Sequence, residues 1–312
     1  MPLPTDEKLI ALGNDLLKQF DTIFGRHAGF RPAHAKGAML SGTFTPAPDA
    51  GSLTRAPHIR RASTPVTVRF SNSTGIPMIP DNDPNANPRG MAIRYHLAEH
   101  VHTDIVAHST DGFPTRTPEE FLEMLRALAS GKVEQFLGAN PKALAFVKTP
   151  KPAPSSFARE SYFGVTAMRF TNAGGLSRFG RYRITPEAGN DHLSDSAAAA
   201  MGPNFLFDEL AARIASRPIG FRVGVQVAEA TDVVDDATIH WPEARKVIEL
   251  GTIVLDAAVA DDAAAQQRII FDPIPRVDGI DPSDDPLLEL RAAIYLMSGR
   301  RRRSEQVRAA GS

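Results

Sequence analysis

The sequence predicts an α+β fold in which antiparallel strands, closed into a barrel, are surrounded by helices. Segments with strand-like alternation of apolar and polar residues recur along the chain, and turn signals such as residues 172–175 separate them. Helical patterns lie at both ends, over about residues 5–25 and 286–302. Antiparallel strands with helices at the ends are typical of α+β domains and barrels.

The charge and hydropathy of the chain exclude several classes of partner. The 35 basic and 36 acidic residues give a net charge of −1, so no global field attracts nucleic acid or an anionic membrane. No stretch approaches the ~20 apolar residues of a membrane span. The first residues lack a basic region followed by an apolar one. We therefore expect a cytoplasmic protein, or a periplasmic one only if a signal has been removed.

The chain contains no cysteine, which excludes disulfides, iron–sulfur clusters and thiol chemistry. Any redox activity would therefore need a metal or an organic cofactor. His96, His100 and His102 have a spacing that a metal ion could use, but no acidic or thiolate set supports them, so we do not expect a zinc site.

The first predicted helix covers about residues 5–25. Its apolar residues recur at three- and four-residue intervals, Thr5 can cap its start, and Gly25 ends it. An Arg-Pro-Ala-His-Ala-Lys-Gly segment at residues 31–37 then leads into strand-like alternation. This order places His34 where a loop enters a sheet.

Residues 64–71 form the clearest strand of the sequence. The apolar residues of Val-Thr-Val-Arg-Phe-Ser point to one side, whereas Arg69 and Ser71 point to the other. If that second face lines a cavity, Arg69 could hold an anion and Ser71 could donate a hydrogen bond.

The middle of the chain predicts helices followed by further strands. Thr117 is a strong N-cap for a helix that ends near Gly131, and a second helical stretch covers about 132–148. The Pro-rich residues 149–154 are the best candidate for a boundary, although both sides look like parts of one fold. Later strands are expected at about residues 162–172, 181–185, 219–228 and 247–256, with a helix at about 205–216.

The last predicted helix carries an unusual polar stripe. At about 100° per residue, Arg291, Tyr295 and Arg302 fall within roughly 40° of one another. A phenol flanked by fixed cations is suited to ionise, since free tyrosine titrates only near pH ~10.

The order of these motifs resembles the haem core of the catalase superfamily, in particular its short, core-only members, the catalase-related peroxidases. The resemblance spans about residues 27–302, and each motif alone is weak. The matching segments are residues 31–37, 68–71, 87–92, 104–106, 271–273, 279–283 and 291–295.

The resemblance implies a role for each matching residue. His34 matches the catalytic histidine on one side of a haem b group, and Ser71 matches the serine behind it. Tyr295 matches the axial ligand of the haem iron, which Arg291 keeps as a phenolate. The arginines that match those binding the haem propionates are Arg31, Arg69 and Arg302.

One departure from the family lies in this site. Catalases carry an asparagine where this chain has His108, Ser109 and Thr110, and we expect Ser109 to take part in catalysis there. The family also implies one catalase-core domain over residues 1–312. Its predicted parts are an N-terminal helix at about 5–25, a barrel and helices at about 30–275, and a haem-bearing helix at about 286–302, with haem buried between barrel and helices.

The resemblance implies a haem peroxidase that uses hydrogen or organic peroxide to oxidise a small organic reductant, with weak catalase activity at most. Two alternatives remain open at the level of sequence. One is dehydration or isomerisation of fatty-acid hydroperoxides, and the other is a non-catalytic haem-binding protein. The expected partners are peroxide and the small organic reductant, without nucleic acid or a membrane span, and the chain is predicted to be a monomer or a homodimer.

Overall fold

The computed structural model describes residues 5–310, with side-chain surroundings given as far as residue 305. Eight α-helices are present in this part of the chain: α1 Glu7–Phe24, α2 Pro118–Ala129, α3 Val133–Ala139, α4 Pro141–Lys148, α5 Asp195–Ala199, α6 Phe205–Ser216, α7 Asp262–Arg268 and α8 Leu287–Ala310. Ten strands accompany them: β1 Gly37–Pro46, β2 Thr64–Ser71, β3 Gly90–Ala98, β4 Val101–His108, β5 Tyr162–Phe163, β6 Met168–Thr171, β7 Ser177–Pro186, β8 Ile219–Val227, β9 Val247–Ala258 and β10 Ile280–Pro282.

Eight of the strands close into an antiparallel barrel. The order around the ring is β1-β2-β3-β4-β5-β7-β8-β9, and β9 pairs again with β1. Strand β6 adds to the side of β7, and β10 adds to β6. The predicted α+β class with a closed antiparallel barrel is therefore confirmed.

Apolar side chains fill the inside of the barrel. On β2, Val66, Val68 and Phe70 belong to the main core cluster and are at most 2% exposed. An eight-stranded barrel is just wide enough to be filled by side chains or to hold one small ligand, and here side chains fill it. A ligand site must therefore lie outside the barrel, on the face from which Arg69 and Ser71 project.

Helices α1, α2 and α8 cover this outer face. Leu16, Leu122 and Leu290, one from each helix, pack in a second apolar cluster. Asp21 of α1 accepts two hydrogen bonds from Arg301 of α8, at 2.7 and 3.0 Å. The apolar face predicted for α1 therefore packs against α8, the helix that carries Arg291, Tyr295 and Arg302.

Two local expectations were wrong. Helix α1 is capped by Asp6 rather than Thr5, because the Asp6 carboxylate accepts from the backbone N–H groups of Lys8 and Leu9. Residues 162–172 form two strands rather than one. Five residue steps from Phe163 to Met168 face only three steps on β7, so the extra residues leave the ladder.

Other boundaries differ for similarly local reasons. Residues 132–148 form two helices because Pro141 lacks an N–H and starts a new helix. Helices α5 and α7 were not predicted, and α8 continues past residue 302. The capping box at Thr117, which joins its side chain to Glu120, is confirmed.

Residues 149–154 connect parts of one sheet, since His108 of β4 pairs with Phe163 of β5 across them. The single domain over residues 1–312 stays a prediction, and its residues 1–4 and 311–312 lie outside the described part.

Within residues 5–310, no helix is both long and apolar enough to cross a bilayer. The same residues contain no group of three or more His, Cys, Asp or Glu side chains placed to hold a metal ion.

Candidate active site

A cavity of about 220 Å³ lies between the outer face of the barrel and helices α1, α2 and α8. Protein interiors rarely leave voids larger than a water molecule, so a space of this size indicates a ligand site. Most of its lining is apolar, and the polar and charged side chains around it are Arg31, His34, Arg69, Ser71, His108, Arg291, Tyr295, Ser298 and Arg302.

One wall of the cavity is formed by His34, Ser71, Gly90 and His108, and we call it the sheet wall. Ser71, Gly90 and His108 are paired in register across β2, β3 and β4. The His34 ring rests on Gly90, where a Cβ atom would lie only 2.8 Å from His34 Nδ1 and 2.6 Å from Ser71 Oγ. Glycine is therefore required at position 90, because the side chains of His34 and Ser71 approach its backbone too closely for a Cβ atom.

His34 is held in a strained backbone conformation. Its φ of 56° lies in the left-handed region, which non-glycine residues rarely adopt. Arg69 stabilises this turn, because its Nη2 donates to the carbonyl oxygens of His34 and Ala35 at 2.9 and 3.3 Å. The ring is fixed as well, since Nδ1 lies 3.1 Å from Ser71 Oγ.

The electrostatic surroundings keep His34 neutral. Burial, reinforced by the positive charge of Arg69, lowers the pKa of the His34 ring from 6.5 to about 4. A neutral ring that donates from Nδ1 to Ser71 leaves Nε2 as a free acceptor. The site therefore holds an uncharged base at neutral pH.

Ser109, the residue predicted for catalysis, does not line the cavity. Its hydroxyl accepts a hydrogen bond of 2.9 Å from the backbone N–H of Arg89. The neighbouring His108 faces the cavity instead, with its ring centroid 5.3 Å from that of His34. The alternation along β4 could have indicated this, because Val106 also lines the cavity whereas Ile105 does not line it and belongs to the barrel core.

Arg31, Arg69 and Arg302 form an arginine cluster at one end of the cavity. Arg31 and Arg302 both donate to the carbonyl oxygen of Ile269, each at 3.1 Å, and Arg69 Nε donates to Gln266 Oε1 at 2.7 Å. Gly37 makes room for Arg69, because a Cβ there would overlap the guanidinium. None of the three arginines forms an ion pair with a carboxylate among the described side chains.

Burying the charged arginine cluster without an anion costs free energy. Burial and then the charges of Arg69 and Arg302 lower the pKa of Arg31 well below its usual value. Burial lowers the pKa of Arg69 to about 9 and that of Arg302 to about 10, and neighbouring arginines contribute in both cases. Buried charges are normally paired. The cluster is therefore suited to a ligand that carries carboxylates.

Helix α8 supplies the opposite side, which we call the helix wall and define by Arg291 and Tyr295. The Arg291 guanidinium carbon lies 5.9 Å from the centre of the Tyr295 ring, one helical turn away. Among the described residues, Arg291 Nη2 is buried without a hydrogen-bond partner. The Tyr295 ring thus lies beside a cation that forms no ion pair among the described side chains.

The fold and the site together define a barrel protein of the catalase type. Residues 26–309 match the family model described as Catalase, and the chain belongs to that family.

Two relatives resemble the chain over most of their length. It is 35% identical over 282 residues to the catalase-related peroxidase of Mycolicibacterium paratuberculosis, covering 88% of this chain and 89% of the other. It is 31% identical over 297 residues to the catalase-related peroxidase of Synechococcus elongatus, covering 91% and 87%. The predicted resemblance to short, core-only members of the superfamily is confirmed.

Solved structures confirm the fold. A fungal catalase superimposes with a TM-score of 0.80 at 21% identity, over 92% of this chain. This chain spans only 62% of the length of that catalase.

Proposed function

We propose that this chain is a haem-dependent peroxidase that uses hydrogen peroxide or an organic peroxide to oxidise a small organic donor, with weak catalase activity at most. The observation that carries the proposal is a buried arginine cluster that forms no ion pair among the described side chains, in one cavity with a neutral histidine and a tyrosine beside an arginine. Peroxidase activity is preferred to fatty-acid hydroperoxide rearrangement because both relatives matched over most of their length are catalase-related peroxidases.

The donor set fits haem b. Its two propionates would meet Arg31, Arg69 and Arg302, since the guanidinium fork binds carboxylates bidentately. Tyr295 would ligate the iron through its phenolate oxygen, with the unpartnered Arg291 supplying the compensating charge. When bound, haem supplies the two electrons that cleave the peroxide O–O bond.

His34 and Ser71 of the sheet wall would move the proton. His34 Nε2 would accept the proton of one peroxide oxygen, which we call the inner oxygen, and would return it to the other, leaving oxygen, which we call the outer oxygen. Ser71 Oγ lies 3.1 Å from Nδ1, and by accepting from an Nδ1–H it would keep the ring in the tautomer that this transfer requires. The apolar lining from α1 and α2, which includes Phe20 and Phe121, excludes water from the transfer.

The test is the visible spectrum of the haem-loaded protein, compared between wild type and Tyr295→Phe. We expect a high-spin ferric tyrosinate spectrum in the wild type, which the substitution abolishes. Peroxide should then bleach the wild-type spectrum until an organic donor restores it, and oxygen release measures any catalase activity.

Tyr182→Phe is the matched control, because Tyr182 is buried in the barrel core and does not line the cavity. It should keep the wild-type spectrum. A protein that retains no haem, or a spectrum that Tyr295→Phe leaves unchanged, would refute the proposed function.

A further inference from the structure

His108 completes the sheet wall, and the proton transfer described above does not use it. Because directly paired residues of antiparallel strands project to the same side, Ser71 and His108 leave the sheet on one face. The His34 ring occupies the gap between them, above Gly90. The Ser71 hydroxyl, the His34 ring and the His108 ring therefore lie side by side along the cavity.

The His108 ring is available to a ligand. Among residues 5–310 nothing forms a hydrogen bond with its nitrogens, although the ring lines the cavity. Burial lowers the pKa of His108 well below 6.5, and the nearby His34 and Arg291 lower it further. The ring is therefore neutral and keeps one N–H donor. A ring N–H that faces a cavity without a partner is free to donate to a ligand. A molecule entering the cavity would supply the missing partner.

The spacing of the two imidazoles suits one small molecule. Their centroids lie 5.3 Å apart and their planes are inclined by 42°. A hydrogen bond spans about 2.9 Å between heavy atoms, so both rings can reach adjacent atoms of a single group in front of them. A peroxide offers two adjacent oxygen atoms.

We propose that His108 is a second catalytic residue, which donates a hydrogen bond to the outer oxygen of the peroxide while His34 handles the proton of the inner oxygen. This role rests on the proposed peroxidase function. The proton that leaves the inner oxygen travels through His34 Nε2 to the outer oxygen as the O–O bond breaks. The two electrons come from haem, and the outer oxygen departs as water or, from an organic peroxide, as an alcohol.

His108 keeps its own proton throughout this step. Its N–H stabilises the negative charge that grows on the outer oxygen during cleavage, as a fixed donor does in an oxyanion hole. The same donor should stabilise any two-atom anion that takes the place of the peroxide.

Cyanide is the probe for the test, because its binding is read from the spectrum and requires no turnover. In the haem-loaded protein, His108→Leu should raise the Kd for cyanide about tenfold, the value of one hydrogen bond to a charged group. His108→Gln retains an N–H donor and should stay within about threefold of wild type. The rate of reaction with peroxide should follow the same order, whereas the rate of reaction with the organic donor should not change.

Two further variants separate this role from a structural one. His102→Gln alters a histidine of the same strand that does not line the cavity, and it should behave as wild type. Ser109→Ala should leave cyanide binding unchanged.

The role of His108 is refuted if His108→Leu binds cyanide as tightly as wild type, if Ser109→Ala reproduces its defect, or if His108→Gln is equally weak. These outcomes leave the proposed function intact as long as the wild type keeps its Tyr295-dependent spectrum. A wild type that binds no haem refutes both proposals.

Discussion

The ring of His34 lies directly on the backbone of Gly90, with no space for a side chain between them. Gly90→Ala should therefore displace His34 from Ser71 and slow the reaction with peroxide at least about tenfold, because general acid–base catalysis contributes that much or more. Haem content should stay unchanged, since neither the arginine cluster nor Tyr295 contacts the new methyl group. Stopped-flow absorbance measures the rate, and the spectrum measures the haem.

Gly138→Ala is the matched control, because a Cβ there meets no other atom within 4 Å. It should react as wild type. If Gly90→Ala kept the wild-type rate, the packing of His34 on β3 would not be what positions the base.

Arg302→Met should separate ligand binding from stability. The side chain is only 2% exposed and has no acidic partner among the described side chains, so its loss should change the free energy of unfolding of the haem-free protein by less than about 1 kcal/mol. Haem affinity should fall at least about tenfold, because a charge-assisted contact to a propionate disappears. Haem titration and urea unfolding measure the two effects.

The neighbouring Arg300 is exposed, and Arg300→Met provides the control for loss of a positive charge on α8. It should leave both quantities unchanged. A large loss of stability in Arg302→Met without haem would show that the arginine is a structural element of the empty cavity.

The pH dependence of the reaction with peroxide should reflect the neutral state of His34. Because burial lowers its pKa to about 4, the ring remains a base down to that pH. The second-order rate should therefore be flat from pH 8 to about 5 and fall with an apparent pKa near 4. An acidic limb near 6.5 would show that the ring is hydrated. His27→Gln, at an exposed position, should not move the limb.

His58 should make the protein sensitive to acid. It is 2% exposed, packs against the rings of Phe44 and Tyr95, and burial lowers its pKa from 6.5 to about 4. The unfolded chain binds this proton below pH 6.5 and the folded chain does not, so stability is lost as pH falls from 6.5 to 4. At about 1.4 kcal/mol per pKa unit, the loss approaches about 3 kcal/mol by pH 4.

His58→Phe should reduce the difference in unfolding free energy between pH 7 and pH 4 by about that amount in urea titrations. The exposed His27→Gln variant should retain the full difference. Equal acid sensitivity in wild type and His58→Phe would contradict this role of His58.

The elements with strong local signals could be predicted from the sequence. Residues 64–71 and 205–216 coincide with β2 and α6, because alternation and helical periodicity there agree with the final packing. Residues 300–303 are all arginines, and helical phase predicts that Arg302 shares a face with Tyr295; its side chain does line the cavity. Local periodicity is sufficient where one face of an element meets the site.

The remaining features depend on contacts between distant segments. Whether His108 or Ser109 faces the cavity is decided by the register of β4 against β3, where a shift of one residue reverses the faces. Gln266 on α7 contacts Arg69, which is 197 residues away in sequence. No sequence pattern near residue 266 predicts that contact.

The contact of α1 with α8 has a consequence for how the protein is made. Asp21 and Arg301, which join the two helices, are separated by 280 residues, and Phe20 beside Asp21 lines the cavity. At about 5–20 residues per second, a ribosome needs about 15 to 60 s to synthesise the intervening chain. Throughout that interval α1 has no α8 to dock on, and the cavity stays open to its surroundings. A cofactor that enters during this period would meet the barrel wall before the helical cover closes.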